Sequence, residues 1–380
     1  MPKSYLDLNP SPRVLLGHLD PEFLVLMNET KELLQYVFQT QNELTLPVPG
    51  TGSAGMEAAV CNILEPGDTI VIGVNGYFGQ RLSEMAARCG AQVVPVQVPW
   101  GRIVEPDDIA QALRGRQAKV VAVVHAETST GVLQPLQPIA DLAHAHDALF
   151  LVDTVTSLGG HPVQVDEWGI DVCYSGTQKC LSCPPGLAPI TLNARAAEVL
   201  HRRRSKVQSW YLDLSLVERY WGQERFYHHT APISMNYALR EALRLIAEEG
   251  LEARFQRHHL NHLALMAGMQ AMGLEPFVAD EAQRLWSLNA VRIPDGIEEA
   301  KVRVQLLQEF GIEIGGGLGE LKGRIWRVGL MGYSSSRRNV LLFLGALEHV
   351  LIAQGYSPRG SGVQAAGEVY RRAAKGRSEN

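Results

Sequence analysis

Between residues 50 and 195, short β-branched runs alternate with stretches of helical composition, and this alternation narrows the possible folds more than any other feature of the chain. The helical "SAGMEAAVCNIL" follows the glycine-rich "VPGTG" and precedes the strand-like "DTIVIGV". The helix "GQRLSEMAARCG" stops at Gly90, and "QVVPVQV" follows as a strand whose proline places it at a sheet edge. "EPDDIAQALRG" opens with proline and acids and closes with glycine, as helices do. "AKVVAVVHA", "ALFLVDTV", "DVCYSG" and "APITLN" are further strands, with "PIADLAHAHD" a helix between the first two. Strands alternating with helices make a mostly parallel sheet flanked by helices on both faces, so the expected class is α/β.

The pattern then loosens. Residues 233–273 keep helical periodicity, with a break near Gly250. "LWSLNAVRIPDG", "IEIGGG" and "RIWRVGLMG" read as strands, "EEAKVRVQLLQEFG" as a helix, and a last helix runs to Tyr356. The expected organisation is a shortened arm at 1–16, a large domain over 17–249, a smaller α+β domain over 250–357 and a polar, loosely held tail over 358–380. A formal net charge of −5 disfavours nucleic acid or an anionic membrane as partner. No apolar run reaches the roughly 18–20 residues of a membrane span. "MPKSYLDLNPSP" lacks the apolar stretch of a secretion signal. Five scattered cysteines suggest a reducing, cytoplasmic setting without a disulfide framework.

In open parallel sheets, ligands bind beyond the carboxyl ends of the strands. Here those ends carry "VNGYFGQ", "HAETSTG", Asp153 after "ALFLV", and "SGTQK" after "DVCY". The topology gathers them at one rim. "PGTGSAG" adds small residues at a helix start, where free N–H groups and the dipole suit a phosphate. No Gly-Lys-Ser/Thr of a P-loop follows, and an ordinary tight turn into a helix has the same composition. A lysine (Lys179), an aspartate (Asp153) and a phosphate cup at one rim suggest pyridoxal 5'-phosphate (PLP). The lysine amine can condense with the cofactor's aldehyde and act as a base once displaced, while the aspartate can pair with the protonated ring nitrogen. A carboxylate ending an apolar strand is costly unless paired, so Asp153 needs such a partner. Periodicity also allows Lys179 to be a solvated surface lysine.

Longer motifs add to this reading. "YVFQTQNELTL", "GMEAAVCNILEPGD", "NGYFGQR", "HAETSTGVLQPL", "LVDTVTSLGG", "GIDVCYSGTQKCLSCPPGLAPI", "FYHHTAPIS" and "EIGGGLGELKGRIWRVGLMG" span most of the chain. From about Gly17 to Ala353 it resembles the class V (fold type I) PLP-dependent aminotransferases, more narrowly the alanine–glyoxylate / serine–pyruvate aminotransferases. The resemblance implies that Lys179 holds the cofactor and shuttles the proton, and that Asp153 pairs with the ring nitrogen. It implies that Phe78 stacks on the ring where the family often has Trp, and that Thr128 hydrogen-bonds the ring hydroxyl. Thr51, Gly52, Ser53 and Gln178 would hold the phosphate. Tyr227 and Thr230 would reach the site of a neighbouring subunit, which implies a homodimer with shared sites. Arg327 would grip the substrate carboxylate with its two-pronged guanidinium, and His18 would face the substrate.

The implied reaction is ping-pong transamination, from alanine or serine to glyoxylate or pyruvate. The nearest alternative is (S)-ureidoglycine–glyoxylate aminotransferase, a branch with Gln and Asn expected at the positions of His18 and Tyr227. A desulfurase would want a cysteine in the smaller domain, and none lies beyond Cys183. An inactive PLP-fold protein is a further alternative, because "LNPSPRVLLGHLDPEF" is abbreviated and lacks the family's Gly-Pro-Gly-Pro. "CLSC" has redox or metal spacing at Cys180 and Cys183, without a second pair. "RHHLNHL" sets His258 and His262 four apart on a helix without a third ligand, which reads as a solvated face rather than a metal site. "GGGLGELKG" reads as a loop flanking Arg327.

Overall fold

The computed structural model describes residues 16–378, so the expected arm at 1–16 lies almost wholly outside the described residues. The first half of the chain runs α1 (Pro21–Phe38), β1 (Leu44–Pro49), α2 (Gly52–Ile63), β2 (Thr69–Val74), α3 (Tyr77–Arg88), β3 (Gln92–Gln97) and α4 (Pro106–Leu113). Next come β4 (Val120–Val124), a short hairpin of β5 (Ala126–Glu127) and β6 (Val132–Leu133), α5 (Gln137–Ala145), β7 (Leu149–Asp153), β8 (Val172–Tyr174) and β9 (Leu187–Leu192). Four helices follow, α6 (Ala194–His201), α7 (Leu214–Trp221), α8 (Ile233–Glu249) and α9 (Leu251–Ala271). The chain closes with β10 (Leu288–Arg292), α10 (Glu299–Phe310), β11 (Gly315–Gly316), β12 (Ile325–Gly329), α11 (Arg337–Ala353) and α12 (Gly362–Ser378).

Seven strands form the main sheet in the order β1-β9-β8-β7-β4-β2-β3. Neighbours from β8 to β3 pair in parallel, whereas β9 runs antiparallel to both β8 and β1. Pro95 lies on the edge strand β3, where its missing N–H interrupts no ladder. Successive side chains of a strand face opposite ways, and both faces here are buried. Ile70, Ile72, Val120, Ala122, Leu149 and Leu151 enter one core, shared with α1, α2 and α7. Val71, Val121, Val123, Phe150 and Val152 enter the other, shared with α4, α5 and α8. This alternation inside continuous apolar runs explains why the strands read as uniformly hydrophobic.

Gly250, at φ +81, ends α8 and starts α9, a bend that a residue with a Cβ resists. A third core gathers Leu265 and Met269 of α9, Val302 and Leu306 of α10, Trp326 of β12 and Leu344 and Leu347 of α11. The loosely held tail expected from residue 358 is instead largely the helix α12. Ala366 and Tyr370 are buried in the third core, and Tyr370 Oη donates to Asn261 Oδ1 at 2.8 Å. A Cβ on Gly268 would stand 2.8 Å from the Gly362 carbonyl oxygen, so glycine here lets α12 approach α9 closely. The polar composition describes the outer face of this helix and hid the inner one.

Candidate active site

The carboxyl ends of β2, β4, β7 and β8 meet around a cavity of about 210 Å³. Thr51, Gly52, Ser53, Phe78, Thr128, Asp153, Gln178 and Lys179 all line it, together with Arg81 and Val155. Two backbones must come close for this. Gly52, at the start of α2, lies against Gly176, where a Cβ would be 3.3 Å from the Gly52 Cα. That approach sets the Thr51–Ser53 turn beside Gln178 and Lys179. No side chain caps α2 at Thr51, so its first-turn amides keep their preference for an anion.

Asp153 ends β7 and is buried, 3% exposed. Val155 N–H donates to its Oδ1 and Tyr174 Oη to its Oδ2, both at 2.8 Å. Burial nevertheless pushes its carboxyl up from 3.8 to about 6, and these two bonds and the more distant cations Arg81 and Lys179 offset that only in part. A cationic partner inside the cavity would restore the ionised form. Lys179 is half-buried, and its amine is lowered from the ordinary lysine value, first by burial and then by the Arg327 charge. A lowered amine is a better nucleophile and base near neutral pH.

Glu127 organises the wall between Phe78 and Thr128. It is fully buried, and its Oε2 accepts the N–H groups of Phe78 (3.0 Å) and Gly79 (3.3 Å) at the start of α3. Its Oε1 accepts from the N–H and Oγ of Ser129. A Cβ on Gly76 would overlap this carboxyl. Burial raises the Glu127 carboxyl above the usual range against these bonds. Arg327 on β12 stands next to this wall. Its Nε donates to Gly316 O at 2.7 Å and its Nη1 to Thr128 O at 3.1 Å. It forms no ion pair among the described residues, so the guanidinium is free to take a carboxylate. The loop "GGGLGELKG" thus serves as an Arg327 support.

His18, Tyr227 and Thr230 are not among the residues lining this cavity. They stand together at the surface, with the His18 and Tyr227 rings 5.1 Å apart and Tyr227 Oη 3.4 Å from Thr230 Oγ1. Tyr227 is 53% exposed.

PLP fits the cavity. A desolvated carboxylate without a contacting cation, an uncapped helix start, a lowered lysine amine and an aromatic face are the donor set that such a group requires. The motif reading assigned no role to Arg81, Glu127 or Val155. Arg81 follows Phe78 by three residues, which puts both on one helix face, and that spacing could have found it.

Other features close off. The face bearing His258 and His262 is buried rather than solvated. His258 Nδ1 pairs with Arg254 O and its Nε2 accepts the Gly332 N–H at 2.9 Å, while His262 Nδ1 lies 2.6 Å from Asn289 Oδ1. Among the described residues no three His, Cys, Asp or Glu cluster to hold a metal. Cys180 and Cys183 are buried free thiols, and burial pushes Cys183 up to about 12, so neither is poised as a thiolate. A larger groove of about 970 Å³ beside β1, α6 and α7 carries charges that pair with one another, as in His201–Glu218 and Arg219–Glu224.

The profile of the family described as "Aminotransferase class-V" matches residues 1–321. The (S)-ureidoglycine–glyoxylate transaminase of Bacillus subtilis is 44% identical over 96% of this chain and 94% of its own length. The alanine–glyoxylate aminotransferase of Callithrix jacchus is 42% identical over 89% of this chain and 82% of its own. The solved structure of the alanine–glyoxylate aminotransferase of Nostoc sp. superposes with a TM-score of 0.88 at 52% identity, covering 89% of this chain and 90% of that one.

Proposed function

The chain belongs to the class V aminotransferases, and from that premise we propose that it moves the amino group of a small amino acid, alanine or serine, onto glyoxylate or pyruvate. The observation that carries the reading is Arg327, which forms no ion pair among the described residues and stands beside a small cavity holding Lys179 and Asp153. One carboxylate-binding guanidinium suits an amino acid without a second acidic group.

When bound, PLP supplies an aldehyde that condenses with amines and a ring that draws off the electron pair of a broken Cα–H bond. Lys179 would hold the cofactor carbon and, once freed by substrate, carry the proton from the substrate Cα. Its lowered basicity keeps part of the amine population unprotonated for that transfer. Asp153 would keep the proton on the ring nitrogen. Phe78 would lie on the ring face and Thr128 would bond the ring hydroxyl. Thr51, Gly52, Ser53 and Gln178 would cradle the phosphate. Arg327 would orient the substrate carboxylate.

Tyr227 and Thr230 would serve the cavity of a second copy, making a homodimer with shared sites. The exposed aromatic group of Trp210, Phe226 and Tyr227 supports such a face. Five buried free thiols support a reducing, cytoplasmic setting. No helix among the described residues is long and apolar enough to cross a membrane.

(S)-Ureidoglycine is the second reading for the donor, supported by the 44% identical relative of that name. The contact between His18 and Tyr227 is where the two readings part. The test follows the visible absorbance of the holoenzyme through separate half-reactions with L-alanine, L-serine and (S)-ureidoglycine, then with glyoxylate. Bleaching by alanine or serine and recovery with glyoxylate supports the first reading. Bleaching by ureidoglycine alone assigns the second.

A further inference from the structure

The proposed phosphate cup has a charge problem. Thr51, Gly52, Ser53 and Gln178 offer only neutral donors, and an α-helix start adds about half a positive charge. A phosphate monoester carries roughly −1.5 to −2 at neutral pH. Some cation must answer it.

Arg81 is placed to do so. It sits three residues beyond Phe78 on α3, is half-buried, and lines the same cavity as Ser53 and Lys179. Its Nη1 donates to Ser53 Oγ at 3.2 Å. Its guanidinium carbon stands 4.9 Å from the Phe78 ring centroid and 5.2 Å from that of Tyr77. The two rings hold the flat cation in place from their own helix. A guanidinium has five N–H donors, yet Arg81 meets one hydroxyl and no carboxylate at ion-pair distance among the described residues. Four donors thus remain for an anion that accepts several bonds at once, as a phosphate does.

The geometry points to Arg81 as the cation of the phosphate cup, a cofactor-binding residue that reaches the ester group through the side of Ser53. This rests on the reading that Thr51, Gly52 and Ser53 receive the phosphate. It also gives Phe78 a second task, because the ring that faces the cofactor shelters the guanidinium that neutralises it. The competing assignment for Arg81 is the ring end of the cofactor, through Asp153, on which its charge acts at longer range.

The two assignments separate on a cofactor without its phosphate. Apoprotein is titrated with PLP and with pyridoxal, which has the same ring and aldehyde, and binding is read from absorbance. Arg81→Gln is expected to weaken PLP by roughly ten- to a hundredfold and to leave pyridoxal within about threefold. In the same variant, inorganic phosphate should lose most of the thermal stabilisation it gives wild-type apoprotein. If Arg81→Gln fails to fold, Arg81→Lys keeps the cation without its fork. It should weaken PLP by a smaller factor, again without touching pyridoxal. Equal weakening of PLP and pyridoxal overturns the assignment and gives Arg81 to the ring end. Unchanged PLP affinity overturns it outright. A wild-type chain that binds pyridoxal but gains nothing from the phosphate of PLP overturns the cup itself.

Discussion

Asp153→Asn should stabilise the apoprotein while disabling the enzyme. Burial raises the wild-type carboxyl from 3.8 to about 6. The group titrates higher folded than unfolded, so its favourable contribution is full below 3.8 and is lost as pH rises through about 6. At about 1.4 kcal/mol per unit, ionised Asp153 costs the empty fold about 3 kcal/mol at pH 8 and about half that at pH 5. Asparagine keeps the same shape. It can accept the Val155 N–H through its oxygen and donate to Tyr174 Oη through its amide. Urea denaturation of both apoproteins at pH 5 and pH 8 measures the difference. The variant should gain about 1–3 kcal/mol at pH 8, and visibly less at pH 5. Adding PLP should reverse the order, because only the aspartate meets a protonated ring nitrogen with a full charge. Transamination should fall by a factor on the order of a hundred or more. A variant less stable than wild type by the same amount at both pH values would refute the reasoning. It would mean that the two bonds to the carboxylate outweigh its lost hydration.

Gly76→Ala should push the Glu127 carboxyl off the start of α3 and displace Phe78; PLP affinity, measured by absorbance titration, should drop by roughly tenfold or more, with about 1–3 kcal/mol lost in stability. Arg327→Ala should abolish bleaching of the holoenzyme by amino donors at concentrations that saturate wild type, with PLP affinity kept, because Arg327 does not line the cofactor cavity. Acid should unfold the chain through its buried imidazoles. Burial lowers His125 to about 3 and His258 and His262 to about 4, so the stability they share with neutral pH is lost as pH falls from about 6.5 through about 4. Apoprotein melting points across pH 4–7 should show this fall, and His262→Gln should flatten it. Tyr370→Phe should cost about 1–2 kcal/mol by leaving Asn261 Oδ1 without its donor, measured by urea titration; no loss would mean that α12 adds little to the third core.

The sheet was legible wherever a strand is buried on both faces, because β2, β4 and β7 then spell nearly continuous apolar runs. The convergence of Asp153, Thr128 and the Lys179 loop followed from the parallel topology alone. "LTLPVP" was harder, since prolines at 47 and 49 do not announce a strand, yet it forms β1. The helix α12 escaped because only small and isolated apolar residues, Ala366 and Tyr370, mark its inner face. The burial of His258 and His262 escaped for another reason. Polar residues on a helix look solvated until the strands and turns that cover them are known, and Gly332 lies 74 residues along the chain from His258. Glu127 was hidden likewise, as its role depends on the gap left by Gly76.

The first strand made is also the one that must wait. Among the described residues β1 has one neighbour, β9, so Leu44–Pro49 leaves the ribosome long before Leu187–Leu192 exists to receive it. At about 5–20 residues per second, that delay is on the order of ten seconds. Throughout it an apolar segment that ends up fully buried would lie open to any other nascent chain. Pro47 and Pro49 lack the N–H groups a foreign strand would need, and they sit on an edge strand, where native pairing readily tolerates their absence. The two residues that obscure β1 in the sequence thus guard it during synthesis.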